Sequence, residues 1–189
     1  MVRKKLYPID DIFIKRWSPR AMSGQPISDQ ELMALFEAAR WAPSSYNNQP
    51  WRFFYAKKDG AYWKSFFDLM VPFNQSWTKN AAVLVIIASK KNFEFNNKPS
   101  ITHGFDAGAA WMSLVLQGAM QGLVVHGMEG FDYAKALKVA GLSDEYEVHA
   151  MCAIGKSADK SVLPAELQEK EVLSDRKPLA DIVFEGKLK

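Results

Sequence analysis

The stretch that decides the fold is Asp106-Ala107-Gly108-Ala109-Ala110-Trp111-Met112-Ser113-Leu114-Val115-Leu116-Gln117-Gly118-Ala119-Met120-Gln121-Gly122-Leu123. Nearly every residue is small or apolar, and Ala107, Ala109, Ala110, Leu114, Leu116 and Ala119 fall on several faces of one helix. A helix that is apolar all round has to be covered on every side. In a chain of 189 residues the simplest cover is a central position in the fold, completed by a second subunit.

Working outward, the rest of the chain supplies the covering elements. Ser28 followed by Glu31 reads as a capping box opening a helix through Leu32, Leu35, Phe36 and Ala39, ending near Trp41 before Pro43. Residues 9–16 have helical spacing, with Asp10 and Asp11 in the first turn, and Pro19 ends them. Residues 51–56 and 82–88 read as strands, the second fully buried, with a helix over 61–70 between them. A short helix over 133–140 is closed by Gly141, and 147–155 reads as a further strand. The last stretch, 163–189, combines one short helix with an extended Ile182-Val183-Phe184. Helices with a few separated strands imply a single α+β domain over residues 1–189.

Composition narrows the classes. The hydrophobic share is 48%, which suits a packed core and excludes a disordered or collagen-like chain. Cys152 is the single cysteine, so an intramolecular disulfide is impossible, and its apolar setting reads as an inert buried thiol. No apolar run approaches the roughly 20 residues that cross a bilayer. The expectation is a soluble cytoplasmic protein without a membrane partner. A net charge of +3 spread along the chain does not call for nucleic acid, and Arg3-Lys4-Lys5 is too short a run to track phosphates.

Three segments carry candidate chemistry. Arg16-Trp17-Ser18-Pro19-Arg20 sets two forked cations and a hydroxyl around a proline-stiffened turn, which suits a phosphate or equally a solvated basic surface. In Ala42-Pro43-Ser44-Ser45-Tyr46-Asn47-Asn48-Gln49-Pro50-Trp51, two prolines bracket short hydrogen-bonding side chains. That pattern fits either the edge of a polar ring system or a loop built from Asx and Ser turns. Gly127-Met128-Glu129-Gly130-Phe131 lets backbone amides approach a ligand, or is a plain strand-to-helix turn. His103, His126 and His149 lack metal-ligand spacing and read as structural or edge-of-site residues. No G-x-S-x-G, P-loop or G-x-G-x-x-G occurs. Trp41, Trp51, Trp63, Trp77 and Trp111 read mostly as core.

Taken together with Arg176-Lys177-Pro178-Leu179, these segments stand in the order found in the FMN-dependent nitroreductase family, and the chain resembles its short members over almost its whole length. The resemblance implies a nitroreductase-like α+β fold, with a central antiparallel or mixed sheet flanked by helices. It further implies an intertwined homodimer whose tail, residues 163–189, wraps the partner. FMN is then the cofactor, with NADH or NADPH as donor. The implied activity is ping-pong hydride transfer through flavin N5 to a flat nitroaromatic or quinone-type acceptor. A specialised flavin reductase or dehalogenase-like member, and a non-catalytic flavin-binding or storage protein, stand as alternatives. The matching cofactor positions are Arg16, Ser18 and Arg20, with Trp17 contributing backbone, and Pro43, Ser44, Ser45 and Asn47 from the other subunit. Asn74 matches a residue at the pyrimidine edge, Glu129 and Gly130 the pair beside N5, and Arg176 a late cation on the phosphate. Tyr46, with Trp17 and Trp77, is expected to narrow the acceptor pocket. No protein group is expected to act as acid or nucleophile, because the flavin carries the chemistry.

Overall fold

A computed structural model describes residues 3–188. Four strands, β1 (Trp51–Lys57), β2 (Val83–Lys90), β3 (Leu123–Met128) and β4 (Tyr146–Lys156), form one sheet in the order β1-β2-β4-β3, every pair antiparallel. The two inner strands, β2 and β4, are therefore covered on both faces, which explains the unbroken apolar run Val83-Leu84-Val85-Ile86-Ile87-Ala88.

The pleat sends alternate β2 side chains into two separate cores. Val83, Val85 and Ile87 join Leu32, Leu35, Leu114 and Ile154 beneath α2 (Asp29–Arg40) and α5 (His103–Met120). Leu84, Ile86 and Ala88 join Phe66, Leu69, Trp77 and Met151 beneath α3 (Trp63–Phe67), α4 (Pro72–Thr78) and α6 (Tyr133–Val139). The architecture is helices, sheet, helices. Each fully buried Leu or Ile contributes about 1.5–3 kcal/mol relative to exposure, so a one-residue register slip in β2 would exchange the two cores and is strongly disfavoured.

The capping box at Ser28 forms as read: Ser28 Oγ accepts from the Glu31 amide at 3.1 Å, and Glu31 accepts from the Ser28 amide at 2.7 Å. Several boundaries differ from the sequence reading. α1 (Ile12–Lys15) is a single turn, and α3 covers only five residues of the expected 61–70. The central helix starts at His103 and stops at Met120. Gly122, at φ +71°, turns the chain so that Leu123 enters β3 instead of prolonging the helix. α4 was not anticipated; Pro72 occupies its first turn, where the missing amide costs nothing. The tail holds α7 (Ala165–Gln168) and a 3-10 turn at Leu179–Asp181, and Ile182-Val183-Phe184 is not in a strand.

The central helix is not covered all round within one chain. Asp106, Ala107, Ala110, Leu114, Val115 and Gly118 are buried, while Phe105 is 81% exposed and Met112 and Met120 also face outward. Among the tryptophans, Trp51 and Trp77 are core, whereas Trp41 is exposed and packs under the Arg40 guanidinium.

Candidate functional site

The segment after α1 builds a cationic turn. Arg16 leaves the helix in extended conformation, and its Nη1 lies 3.3 Å from Ser18 Oγ. Arg3 donates from Nη1 to the carbonyls of Ile14 and Arg16, at 3.0 and 2.8 Å, and from Nε to the Ser174 carbonyl at 2.8 Å. Arg176 comes in from the tail. Burial, then the neighbouring Arg176 and Arg3 charges, lower the pKa of Arg16 from its ordinary value. Among the described residues, Arg3, Arg16, Arg20 and Arg176 make no ion pair with a carboxylate. The charges of Arg3, Arg16 and Arg176 stand near one another without an ion pair to a carboxylate, so they repel, and a bound anion would relieve that repulsion.

Two remote groups fix the shape of this turn. Glu171 Oε1 accepts from the amides of Arg20 and Ala21 at 2.6 and 2.8 Å. His126 Nδ1 lies 2.9 Å from the Pro19 carbonyl, which can only accept, so the proton sits on Nδ1. Burial holds the pKa of His126 below its ordinary value, partly opposed by that carbonyl bond. Its ring packs at 4.6 Å on Trp77 of α4. Arg20 Nε is buried with no protein partner, a donor left free beside the turn.

One turn before Trp77 on the same helix stands Asn74, which is buried and donates from Nδ2 to the Gly130 carbonyl at 3.0 Å. The Val71 amide donates to the same carbonyl at 3.0 Å. A Cβ at position 130 would lie 2.7 Å from Asn74 Nδ2, so this contact admits glycine alone without a shift. The structure thus links Asn74, Glu129 and Gly130 to the arginine turn through Trp77 and His126. Glu129 is exposed, and Trp17 half-buried.

The other polar segment lies elsewhere. Ser45–Asn47 form a 3-10 turn in which Tyr46 and Asn47 take φ +51°, with Gln49 at +48°. Three non-glycine residues in the left-handed region within four positions mark a backbone held by its surroundings at a cost of order 1–3 kcal/mol each. The Ser44 hydroxyl accepts from the Gln49 amide at 3.0 Å, and the Asn48 side chain from the Glu94 amide at 3.0 Å. Asp106 Oδ2, in the first turn of α5, accepts from the Ser45 amide at 3.2 Å. Pro43 and Asn47 are exposed. Among the described residues, no hydrogen bond or ion pair joins Pro43, Ser44, Ser45 and Asn47 to the arginine turn of the same chain.

Within one chain Tyr46 does not meet Trp77, contrary to the expectation that the two narrow one pocket. Trp77 is sealed in the core, and Tyr46 packs on Phe93 and Phe95 at 5.6 and 5.9 Å. Sequence reasoning missed Arg3, Glu171 and Asp106. Asp106 had a signal, as a lone carboxylate in an otherwise apolar helix; Glu171 had none.

Comparison with known proteins decides the kinship. The sequence model of the Nitroreductase family matches residues 14–71 and 56–156. The chain belongs to the nitroreductase family. A crystallised protein described as an oxidoreductase containing FMN superposes with a TM-score of 0.94 at 45% identity, over 99% of this chain and 96% of that one. A nitroreductase family protein from Streptococcus pneumoniae TIGR4 shares the fold at TM-score 0.73 and 19% identity, over 93% and 98% of the two chains. In sequence, a Rhodopseudomonas palustris (strain TIE-1) protein provisionally named NADH dehydrogenase/NAD(P)H nitroreductase is 25% identical over 175 residues, 82% of this chain and 88% of that protein. Family membership makes the chain an oxidoreductase of nitroreductase type. No helix among the described residues is long and apolar enough to cross a membrane.

Proposed function

We propose that the chain is an FMN-dependent NAD(P)H oxidoreductase acting on flat nitroaromatic or quinone-type acceptors. One observation carries the reading: in a nitroreductase-family chain, Arg3, Arg16 and Arg176 come together beside Ser18 without an ion pair to any carboxylate among the described residues. The residues fit the cofactor, since they offer cations for a phosphate, the free Arg20 Nε donor for an electron-rich ring edge, and at Gly130 a backbone with no side chain in the way. A structural relative described as containing FMN, and a sequence relative named for NADH and NAD(P)H, support both cosubstrates.

The chemistry that bound FMN supplies is two-electron transfer from a nicotinamide hydride to the acceptor, in alternating half-reactions. The protein binds and orients. Arg16, Arg3, Arg176 and Ser18 hold the phosphate, with Trp17 giving backbone. Arg20 sets a cation against the ring edge that becomes negative on reduction, which favours the reduced state. Asn74 serves the pyrimidine edge, and Glu129 and Gly130 line the N5 side. Pro43, Ser44, Ser45 and Asn47 come from a second copy, because one chain keeps them apart from the arginines. Tyr46, packed on Phe93 and Phe95, borders the acceptor side.

A homodimer completes this arrangement. Supporting it are the uncovered face of α5, where Ile101 is 97% exposed beside Phe105, and a tail that leaves Val172, Ile182, Val183 and Phe184 exposed. Apolar surface of this kind marks an interaction face.

The test is spectroscopic. Purified protein reconstituted with FMN should be yellow, bleach anaerobically with NADH or NADPH, and recover its colour with a nitroaromatic or quinone. A protein that cannot take up FMN overturns the reading. Bound flavin that neither nucleotide bleaches points instead to a flavin-binding protein without this activity.

A further inference from the structure

One side chain, that of Arg3, joins the N-terminal segment to the tail. Its Nη1 donates to the carbonyls of Ile14 and Arg16, at 3.0 and 2.8 Å, and its Nε to the carbonyl of Ser174, at 2.8 Å. Three carbonyls from two distant segments are thus gathered on one guanidinium. The rigid planar fork of an arginine can do this, whereas a lysine ammonium is a single point charge. The remaining nitrogen, Nη2, is buried against the protein. Arg3 therefore has its donors turned to its own chain, and its share in holding a phosphate is indirect.

What the staple holds is a strand of chain with little else to fix it. Residues 171–176 form no helix or strand, and residues 172–176 are exposed, so neither a backbone ladder nor core packing sets their course. Two contacts do. At the near end, Glu171 Oε1 accepts from the amides of Arg20 and Ala21. At the far end, Arg3 grips Ser174.

Two residues beyond that grip stands Arg176. Its guanidinium folds back on the stapled stretch, with Nη1 donating to Ser174 Oγ at 3.1 Å and to the Asp175 carbonyl at 2.9 Å. Its charge, like that of Arg3, acts on Arg16. Like charges repel, and among the described residues no carboxylate pairs with Arg176 or Arg16 to offset this. Bonds to neutral carbonyls hold Arg176 there instead.

We propose that Arg3 is a positioning residue for the phosphate cradle: it staples the tail at Ser174 to the backbone of residues 14–16, and so presents Arg176 to the FMN phosphate beside Arg16 without touching the phosphate itself. The bearing on phosphate rests on the FMN reading above; the staple does not.

The decisive comparison is between FMN and riboflavin, which differ by the phosphate, each titrated into the full chain and followed by flavin fluorescence. Arg3 belongs to neither core, so its variants keep the fold. Arg3→Ala should weaken FMN binding roughly tenfold or more, the scale of one lost bond to a charged group, and leave riboflavin affinity at the parent's value. Arg3→Lys keeps the charge and loses the fork, so it should behave as Arg3→Ala does. In an Arg176→Ala background, Arg3→Ala should cost no further FMN affinity, because the group it acts through is gone. In the flavin-free chain, trypsin should cut after Lys170 and Arg176 about tenfold faster in both Arg3 variants, since one bond of the same kind no longer restrains the tail. Parent-like FMN affinity in Arg3→Lys, losses that multiply in the double variant, equal losses of FMN and riboflavin, or unchanged tail cleavage each overturn the positioning role. Faster tail cleavage in both variants of a chain that takes up no FMN upholds the staple and overturns the FMN reading instead.

Discussion

Residues 16–21 are held by partners 107 and 151 positions away, whereas residues 43–49 are held largely by one another. The arginine turn has an ordinary backbone and long-range clamps, Glu171 and His126. The polar loop has a strained backbone, short local bonds, and anchors at Asp106, Glu94 and the nearby Arg52. A charged cradle must keep several cations close against their repulsion, and rigid remote supports achieve that. On the proposed reading, a loop that meets a ring held by a second subunit needs its own shape before that partner arrives.

The largest effect that tests this contrast is Gly130→Ala. Its methyl would press on Asn74 Nδ2 and, at 3.1 Å, on Val71, both of which sit where the arginine side is assembled. Overpacking of about 1–3 kcal/mol should weaken FMN retention about five- to 150-fold, read by flavin fluorescence titration; unchanged retention would detach Gly130 from the site. Next comes Glu171→Ala, which strips two backbone amides of their carboxylate. The loss, about 1.5–3 kcal/mol for bonds to a charged group, should appear both in denaturant melts and in FMN affinity, and Glu171→Gln should recover most of it. Equal damage from both substitutions would show that the charge, not the acceptor geometry, matters. Ser44→Ala, which removes the acceptor for the Gln49 amide, should cost only about 1 kcal/mol and leave phosphate affinity untouched, as befits a loop held by many small bonds.

The smallest expected effect is on pH. The folded pKa of His126 lies below the unfolded value, so the native state binds fewer protons than the unfolded chain. Stability is then full above the unfolded value, about 6.5, and falls as the pH drops below it towards the folded value. His126→Asn should flatten that part of the stability curve in urea titrations at pH 8 and 5.5, and a parent-like slope would remove His126 from its supporting role.

Local patterns were legible in the sequence and remote ones were not. Ser28 and Glu31 announced α2 because a capping box is complete within four residues. The buried strand at 83–88 showed in its composition, and its alternation between two cores needed the helices on both sides. β3 was hidden because Leu123-Val124-Val125 continues the apolar run of α5, and only the positive φ of Gly122 separates them. α4 was hidden because Phe73-Asn74-Gln75-Ser76 has no apolar period, its helicity coming from Pro72 and from burial of Trp77. For the site, the two motifs at 16–20 and 43–49 were recognisable as short strings. Their separation within one chain, the entry of Arg3 from the terminus and the clamp by Glu171 depend on tertiary placement, which spacing along a chain does not encode.

Cys152 lies at the centre of β4 with no exposure, its thiol pushed well above its usual range by burial. Being the single thiol, it turns the molecule into its own clock. Reagents that attack thiolates can reach it only when the inner strands part, so the labelling rate under native conditions reports how often the whole sheet opens. Loop motion around the site leaves that rate unchanged, and the fraying of the periphery can thus be timed separately from the opening of the core.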